Sequence, residues 1–130
     1  MLYLDSSAIV KLVAPEPETA RLVETLRSDP DAISSALARV EVTRAVMRAG
    51  ATSERSRRAA AVLERIALVP IDAGILGRAS DLQPPELRTL DAIHLATVLL
   101  LQRDVAGLIT YDGRLAEAAL AAEIAVLTPS

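Results

Sequence analysis

The sequence predicts an α/β fold: a three-layer α/β/α sandwich with a mostly parallel central sheet. Three observations carry that expectation. Short apolar runs alternate with longer amphipathic stretches, separated by brief turns, which is the pattern of a parallel sheet covered on both faces. The run Gly107-Leu108-Ile109-Thr110 is apolar almost throughout, as a strand buried on both faces must be. Hydrophobic residues make up 52% of the 130 positions, enough for one domain (1–130) with a proper core.

Taken in order, Leu2-Tyr3-Leu4 reads as the first strand. Asp5-Ser6-Ser7 then caps a helix from about Ser7 to Ala14, which Pro15 ends. Glu16–Ser28 reads as a second helix, with Ala20, Leu22, Val23 and Leu26 at helical spacing. Ala32-Ile33-Ser34 is the second strand, and the helix Ala36–Ala49 closes on Gly50 at a C′ position. The next helix, Ser53–Ile66, starts rich in arginine and turns apolar toward Leu63. Ala67–Ile71 is a third strand, and Pro70 assigns it to an edge or a strand end. Asp72 caps a helix to about Leu82, which Gln83-Pro84-Pro85 breaks. The most apolar helical run follows at Arg88–Leu101, with Asp91 at its cap or first turn, where the helix dipole favours negative charge. After the strand at 107–110, Ala116–Glu123 reads as a helix and Ala125-Val126-Leu127 as a last strand.

Composition excludes several classes. The longest apolar runs fall well short of the roughly 20 residues that span a bilayer, so no membrane association is expected. Asp5 stands early and no basic lead precedes it, which argues against a signal peptide. The chain has no cysteine, which rules out disulfides, thiolate zinc sites and cysteine nucleophiles and suits a cytoplasmic location. The net charge is −3, but residues 44–65 hold six arginines (Arg44, Arg48, Arg55, Arg57, Arg58, Arg65) against Glu54 and Glu64, a local +4 between acidic segments. That stretch suits a phosphate-contacting surface and a solvated, ion-paired helix face about equally. Tyr3 and Tyr111 are the only aromatic residues, so base stacking is not a major binding mode.

In parallel α/β sheets, ligands bind beyond the carboxyl ends of the strands. Asp5 directly follows the first strand, and Asp112 follows the strand ending at Thr110. Asp91 opens the apolar helix, and Glu41 lies two turns into the helix after the second strand. Four carboxylates at one sheet edge repel one another unless a cation lies between them, and an all-oxygen set favours Mg²⁺ or Mn²⁺. Each acid alone has a plainer reading: Asp5 and Asp91 as helix caps, Asp112 as a turn residue before Gly113, and Glu41 as an ion-pair partner of Arg44. Ser6 and Thr110 adjoin the acids and can orient a ligand or water, with capping the rival role for Ser6. His94 shares a helix face with Asp91 and reads mainly as a packed, hydrogen-bonded histidine. Arg88 and Arg114 flank two of the acids, as phosphate contacts or structural ion pairs.

Four blocks, MLYLDSSAIVKL, SSALARVEVTRAV, RTLDAIHLATVLL and LITYDGRLAEAA, resemble in that order those of PIN-domain ribonucleases, and most nearly the VapC toxins of type II toxin–antitoxin systems. The resemblance covers nearly the whole chain. It implies a PIN-like sandwich that is often a homodimer, cleavage of RNA with Mg²⁺ or Mn²⁺, and a cognate antitoxin that covers the active site. By position it makes Asp5, Glu41, Asp91 and Asp112 the catalytic acids. Asp5 and Asp91 would be the principal metal ligands, with Asp112 and Glu41 completing the site directly or through water. Ser6, Thr110 and His94 would support them, and Arg44, Arg48, Arg88 and Arg114 are candidate RNA contacts. Gly113-Arg114 follows the fourth acid where some relatives carry a further acid or amide, which leaves one metal or two open.

Other classes fit less well. A phosphoacceptor receiver domain needs a lysine after a late strand, and the only lysine is Lys11. A haloacid-dehalogenase-like phosphatase needs a second aspartate where Ser7 stands, and a nucleotide-binding domain needs glycines after the first strand. A PIN-like housekeeping RNA-processing nuclease and a non-catalytic PIN-like binding module are the remaining alternatives.

Overall fold

All 130 residues are described in the computed structural model. The elements run β1 (Leu2–Leu4), α1 (Ser6–Val13), α2 (Thr19–Ser28), β2 (Ala32–Ser35), α3 (Leu37–Arg48), α4 (Ser53–Glu64), β3 (Ala67–Val69), α5 (Ala73–Ser80), α6 (Thr89–Leu100), β4 (Gly107–Ile109), α7 (Gly113–Ala121) and β5 (Val126–Leu127). The five strands form one sheet in the order β3-β2-β1-β4-β5, with every pairing parallel.

Strand alternation divides the core into two layers. Leu2, Leu4 and Ile109 pack with Ile9 and Val13 of α1, Val42 and Val46 of α3 and Ala59 of α4. Tyr3 and Leu108 point the other way, into Leu95 and Val98 of α6 and Leu115 and Ala118 of α7. A smaller cluster joins Ile75 of α5 to Ile93 and Ala96 of α6. The sandwich expected from the sequence is therefore present, with α1–α4 on one face and α5–α7 on the other. Every residue of α6 from Asp91 to Val98 is buried, so this helix is core for most of its length.

The strand order fixes where a site can form. The chain steps from β1 to β2 to β3 in one direction, then crosses back to lay β4 on the other side of β1. That reversal opens a crevice at the carboxyl ends of β1 and β4. Asp5 and the Thr110–Asp112 turn lie at its two edges.

Several boundaries differ from the expectation, each for a local reason. Helix α2 begins at Thr19 rather than Glu16, because the Glu16 N–H donates to Thr19 Oγ1 (2.9 Å) in a turn before the helix. Helix α5 stops at Ser80 rather than Leu82; Asp81 closes it, with its N–H turned back to the Arg78 carbonyl. Helix α7 starts at Gly113 rather than Ala116, because Asp112 Oδ1 accepts from the N–H groups of Arg114 (2.9 Å) and Leu115 (3.2 Å) and caps it early. Asp91 lies in the first turn of α6, and Arg88 is the residue at the N-cap. Pro70 follows β3 directly, and β3 is an edge strand. Gly50 takes a positive φ of 76° just past α3, the conformation a C′ glycine supplies without strain.

Candidate functional site

The end of β1 delivers Asp5 into the crevice, and the surrounding hydrogen bonds immobilise it. Its Oδ1 accepts from the Ala8 N–H (3.0 Å), which caps α1, and from the Ser7 hydroxyl (2.6 Å). Its Oδ2 accepts from the Thr110 hydroxyl (2.6 Å). The two hydroxyls also accept from the β4 side: Ser7 Oγ from the Tyr111 N–H (2.9 Å) and Thr110 Oγ1 from the Asp112 N–H (3.0 Å). Asp5 is 3% exposed. Burial holds its carboxyl above the usual range, opposed by the hydrogen bonds from Ser7, Thr110 and Ala8.

Glu41 reaches the same crevice from the second turn of α3. Its Oε1 accepts from the Ser6 hydroxyl (2.6 Å) and lies 2.7 Å from His94 Nε2. A carboxylate only accepts, so the proton between them is assigned to Nε2. In the neutral ring, His94 Nδ1 then accepts from the Tyr3 hydroxyl at 2.8 Å. Burial raises the pKa of the Tyr3 phenol, which keeps it a donor. Burial also pushes Glu41 upward, but the His94 and Ser6 hydrogen bonds outweigh it and hold the carboxyl below its ordinary value. The ion pair with Arg44 that spacing allowed does not form. Glu41 is tied inward instead, through α6 to β1.

Asp91 and Asp112 form the other side. The Arg88 guanidinium spans them, donating through Nε to Asp91 Oδ2 (3.1 Å) and through Nη2 to Asp112 Oδ2 (2.7 Å). Burial holds Asp91 above the usual carboxylate range; the Arg88 hydrogen bond opposes that, and the nearby charge of Asp112 adds to it. No three acidic or histidine side chains meet at the spacing that one ion requires in this conformation. The cation between Asp91 and Asp112 is the guanidinium. The donor set nevertheless suits a hard divalent ion: it is carboxylate and hydroxyl oxygen throughout, and two of its members already share a positive charge.

The arginines of the basic stretch have different fates. Arg48 lines a cleft of about 350 Å³ with Ser6, Ser7, Lys11, Glu16, Glu41 and Tyr111, on the Glu41 side of the acids. Arg44 and Arg114 are exposed and make no ion pair, although the Arg114 backbone belongs to the Asp112 cap. Arg58 turns away, donating from Nε to the Leu12 carbonyl (2.9 Å) at the end of α1. It supports the fold.

Three residues of the site were not singled out from the sequence. Ser7 links Asp5 to the β4 turn, Tyr3 anchors His94, and Lys11 sits 4.6 Å over the Tyr111 ring while pairing with Glu16 (2.6 Å) and Glu18 (3.2 Å). Tyr3 could have been found: it alternates away from Leu2 and Leu4, toward the layer that holds the only histidine.

A parallel sheet with this switch point, edged by four acids from the end of β1, α3, α6 and the β4 turn, defines a class of α/β domain with an acidic, oxygen-lined crevice. Residues 2–121 match the PIN domain family model. Ribonuclease VapC46 of Mycobacterium tuberculosis is 47% identical over 129 residues, covering 99% of this chain and 98% of the relative. The chain therefore belongs to the PIN-domain family, and within it to the VapC ribonucleases. Two solved structures share the fold at low identity. A toxin–antitoxin complex from Klebsiella pneumoniae superposes with a TM-score of 0.75 at 22% identity, covering 100% of this chain and 98% of that one. Mycobacterium tuberculosis VapC20, a sarcin–ricin loop cleaving toxin, superposes with a TM-score of 0.73 at 17% identity, covering 99% of this chain and 100% of that one.

Proposed function

We propose that this chain is an endoribonuclease, the toxin of a toxin–antitoxin pair, that hydrolyses RNA phosphodiesters at Asp5, Glu41, Asp91 and Asp112 with Mg²⁺ or Mn²⁺. The observation that carries this reading is that these four acids border one crevice at the switch point of a chain that belongs to the VapC ribonucleases. Asp5, Asp91 and Asp112 would hold the ion. A divalent ion bound there supplies Lewis acidity, activating a water and offsetting charge on the leaving oxygen.

The protein's own residues do the rest. Ser7 and Thr110 fix both Asp5 oxygens, so its lone pairs point one way before any ligand arrives. His94 and Ser6 occupy Glu41 Oε1, which leaves Oε2 to accept a proton from the attacking water. Arg48, exposed at the rim of the neighbouring cleft and free of any ion pair, offers a contact for the RNA backbone, and the exposed Arg44 and Arg114 offer two more. Recognition by backbone and shape suits a chain with two aromatic residues. The partners proposed are an RNA, a cognate antitoxin that covers the acids, and a second copy of the chain.

The test is cleavage of a structured RNA with and without Mn²⁺ or Mg²⁺. Cleavage that requires the ion, stops with a chelator and is lost in both Asp5→Asn and Asp91→Asn is the expected result. Undiminished cleavage by both variants overturns the assignment. A stable fold with neither metal binding nor cleavage supports the non-catalytic alternative.

A further inference from the structure

We propose that Arg88 is a built-in counter-cation that must leave Asp91 and Asp112 before a divalent ion binds, so that this one side chain sets the metal affinity of the site. The proposal rests on the reading that these acids hold such an ion.

Three features of the geometry carry it. First, the guanidinium contacts acids from two different elements, at 3.1 Å on α6 and 2.7 Å at the head of α7. It therefore offsets part of the charge of the very pair that a divalent ion would have to share. Second, Arg88 is free to move. Its side chain is 61% exposed, and its backbone lies at the N-cap of α6 with no side-chain capping bond. Only the two carboxylates hold it in place. Third, the other two acids are fixed differently. Asp5 is held by hydroxyls and a backbone N–H, and Glu41 by a hydroxyl and an imidazole, none of which stands between two acids as a second cation.

The physics of displacement follows. A guanidinium is a rigid fork that stays charged at any working pH, so it competes with a metal without depending on protonation. The guanidinium occupies Oδ2 of both acids, so two charge-assisted hydrogen bonds must break for one ion to take those two oxygens. Because the arginine is largely exposed, that competition is modest, a matter of binding constants rather than a block. Lysine at the same place presents a point charge that cannot bridge both acids in a fixed fork, so it should compete less well.

The experiment is a calorimetric Mn²⁺ titration of the full chain in the absence of RNA, comparing the unaltered protein with Arg88→Gln, Arg88→Lys and Asp91→Asn. Circular dichroism checks the fold of each variant. Arg88→Gln should bind Mn²⁺ about tenfold more tightly, the scale of a part-exposed, charge-assisted pair, with Arg88→Lys in between. The thermal midpoint of Arg88→Gln should also rise more on adding Mn²⁺ than that of the unaltered protein. Should Arg88→Gln fail to fold, the ordering of Arg88→Lys against the unaltered protein decides. Equal or weaker Mn²⁺ binding by the Arg88 variants, with binding still lost in Asp91→Asn, overturns the role of Arg88 and leaves the metal reading standing. No Mn²⁺ binding by the unaltered protein or any Arg88 variant at millimolar concentration overturns the metal reading itself, and this proposal with it.

Discussion

The two sides of the crevice hold their acids by opposite means. Asp5 and Glu41 are fixed by hydroxyls, a backbone N–H and an imidazole that belong to α1, α6 and the β4 turn. Asp91 and Asp112 are held by one exposed arginine. The first pair is preorganised: its oxygens are aimed, and nothing charged must be removed from them. The second pair is exchangeable. A site built this way has a rigid wall that sets geometry and a loose wall that sets occupancy, and substitutions on the two walls should separate activity from stability.

The largest effects are expected at the aspartates. Asp5→Asn and Asp91→Asn should each lower cleavage by about 10²–10³-fold or more, the scale seen when a group that stabilises transition-state charge is removed. Stability against pH should distinguish these two from Glu41. Asp5 and Asp91 both have raised pKa values, so the folded state binds their protons more tightly than the unfolded chain does. That contribution favours folding at low pH, and it is lost as pH rises from the ordinary carboxylate value, about 3.9, through the raised one. Glu41 runs the other way: its lowered pKa adds stability above the ordinary value, which is lost as pH falls through the folded one. Asp5→Asn keeps the oxygen that Ser7 and Ala8 address and removes a buried charge. Its metal-free form should be more stable at pH 7 by on the order of 1 kcal/mol, and it should lose less stability than the unaltered protein as pH rises through the raised value of Asp5. Urea unfolding at several pH values measures this. A destabilised Asp5→Asn would mean that the wall depends on the charge itself.

Breaking the rigid wall should cost more folding energy than breaking the loose one. Thr110→Val strips a partner from both Asp5 Oδ2 and the Asp112 N–H, so a loss of about 1–3 kcal/mol is expected. Arg88→Gln, at an exposed pair, should cost at most about 1 kcal/mol. Equal losses would erase the contrast. Tyr3→Phe removes the donor behind His94 without touching substrate. It should lower kcat severalfold and leave KM unchanged, which is the signature of a positioning residue and not of lost binding.

The smallest effects lie at the arginines, where two charges of the same basic stretch should part company. Arg48→Ala should raise KM a few-fold and lower the salt dependence of RNA binding by about one phosphate contact, with stability unchanged. Arg58→Ala should do the reverse: a loss of about 1 kcal/mol from the bond to the Leu12 carbonyl, with KM unmoved.

How much of this could be read from the chain divides along the same physical lines. The strands were legible because β1 and β4 are buried on both faces and so are nearly all apolar. Asp5 and Asp112 were legible because parallel topology puts whatever follows such strands at the ligand edge. The start of α7 is less legible, because Asp112 before Gly113 fits a turn as well as a cap; which it is depends on where its side chain turns, and residue order does not encode that. The tie from Glu41 to His94 and Tyr3 spans three elements that only packing brings together, and a local pairing of Glu41 with Arg44 was the alternative that spacing offered. Arg88 was placed beside two acids, but that it bridges both required the β4 turn and the head of α6 to meet. Composition could not separate the arginine that serves the cleft, Arg48, from the one that serves the fold, Arg58.

The central claim, that a rigid pair and an exchangeable pair of acids together make one cation site, is tested most directly by anomalous diffraction from crystals soaked in Mn²⁺. The expected result is a manganese peak coordinated by Asp5, Asp91 and Asp112, with the Arg88 guanidinium withdrawn from both aspartates and the Ser7 and Thr110 bonds to Asp5 unchanged. A fully soaked crystal with no manganese at these side chains, and Arg88 still bridging Asp91 and Asp112, would contradict it.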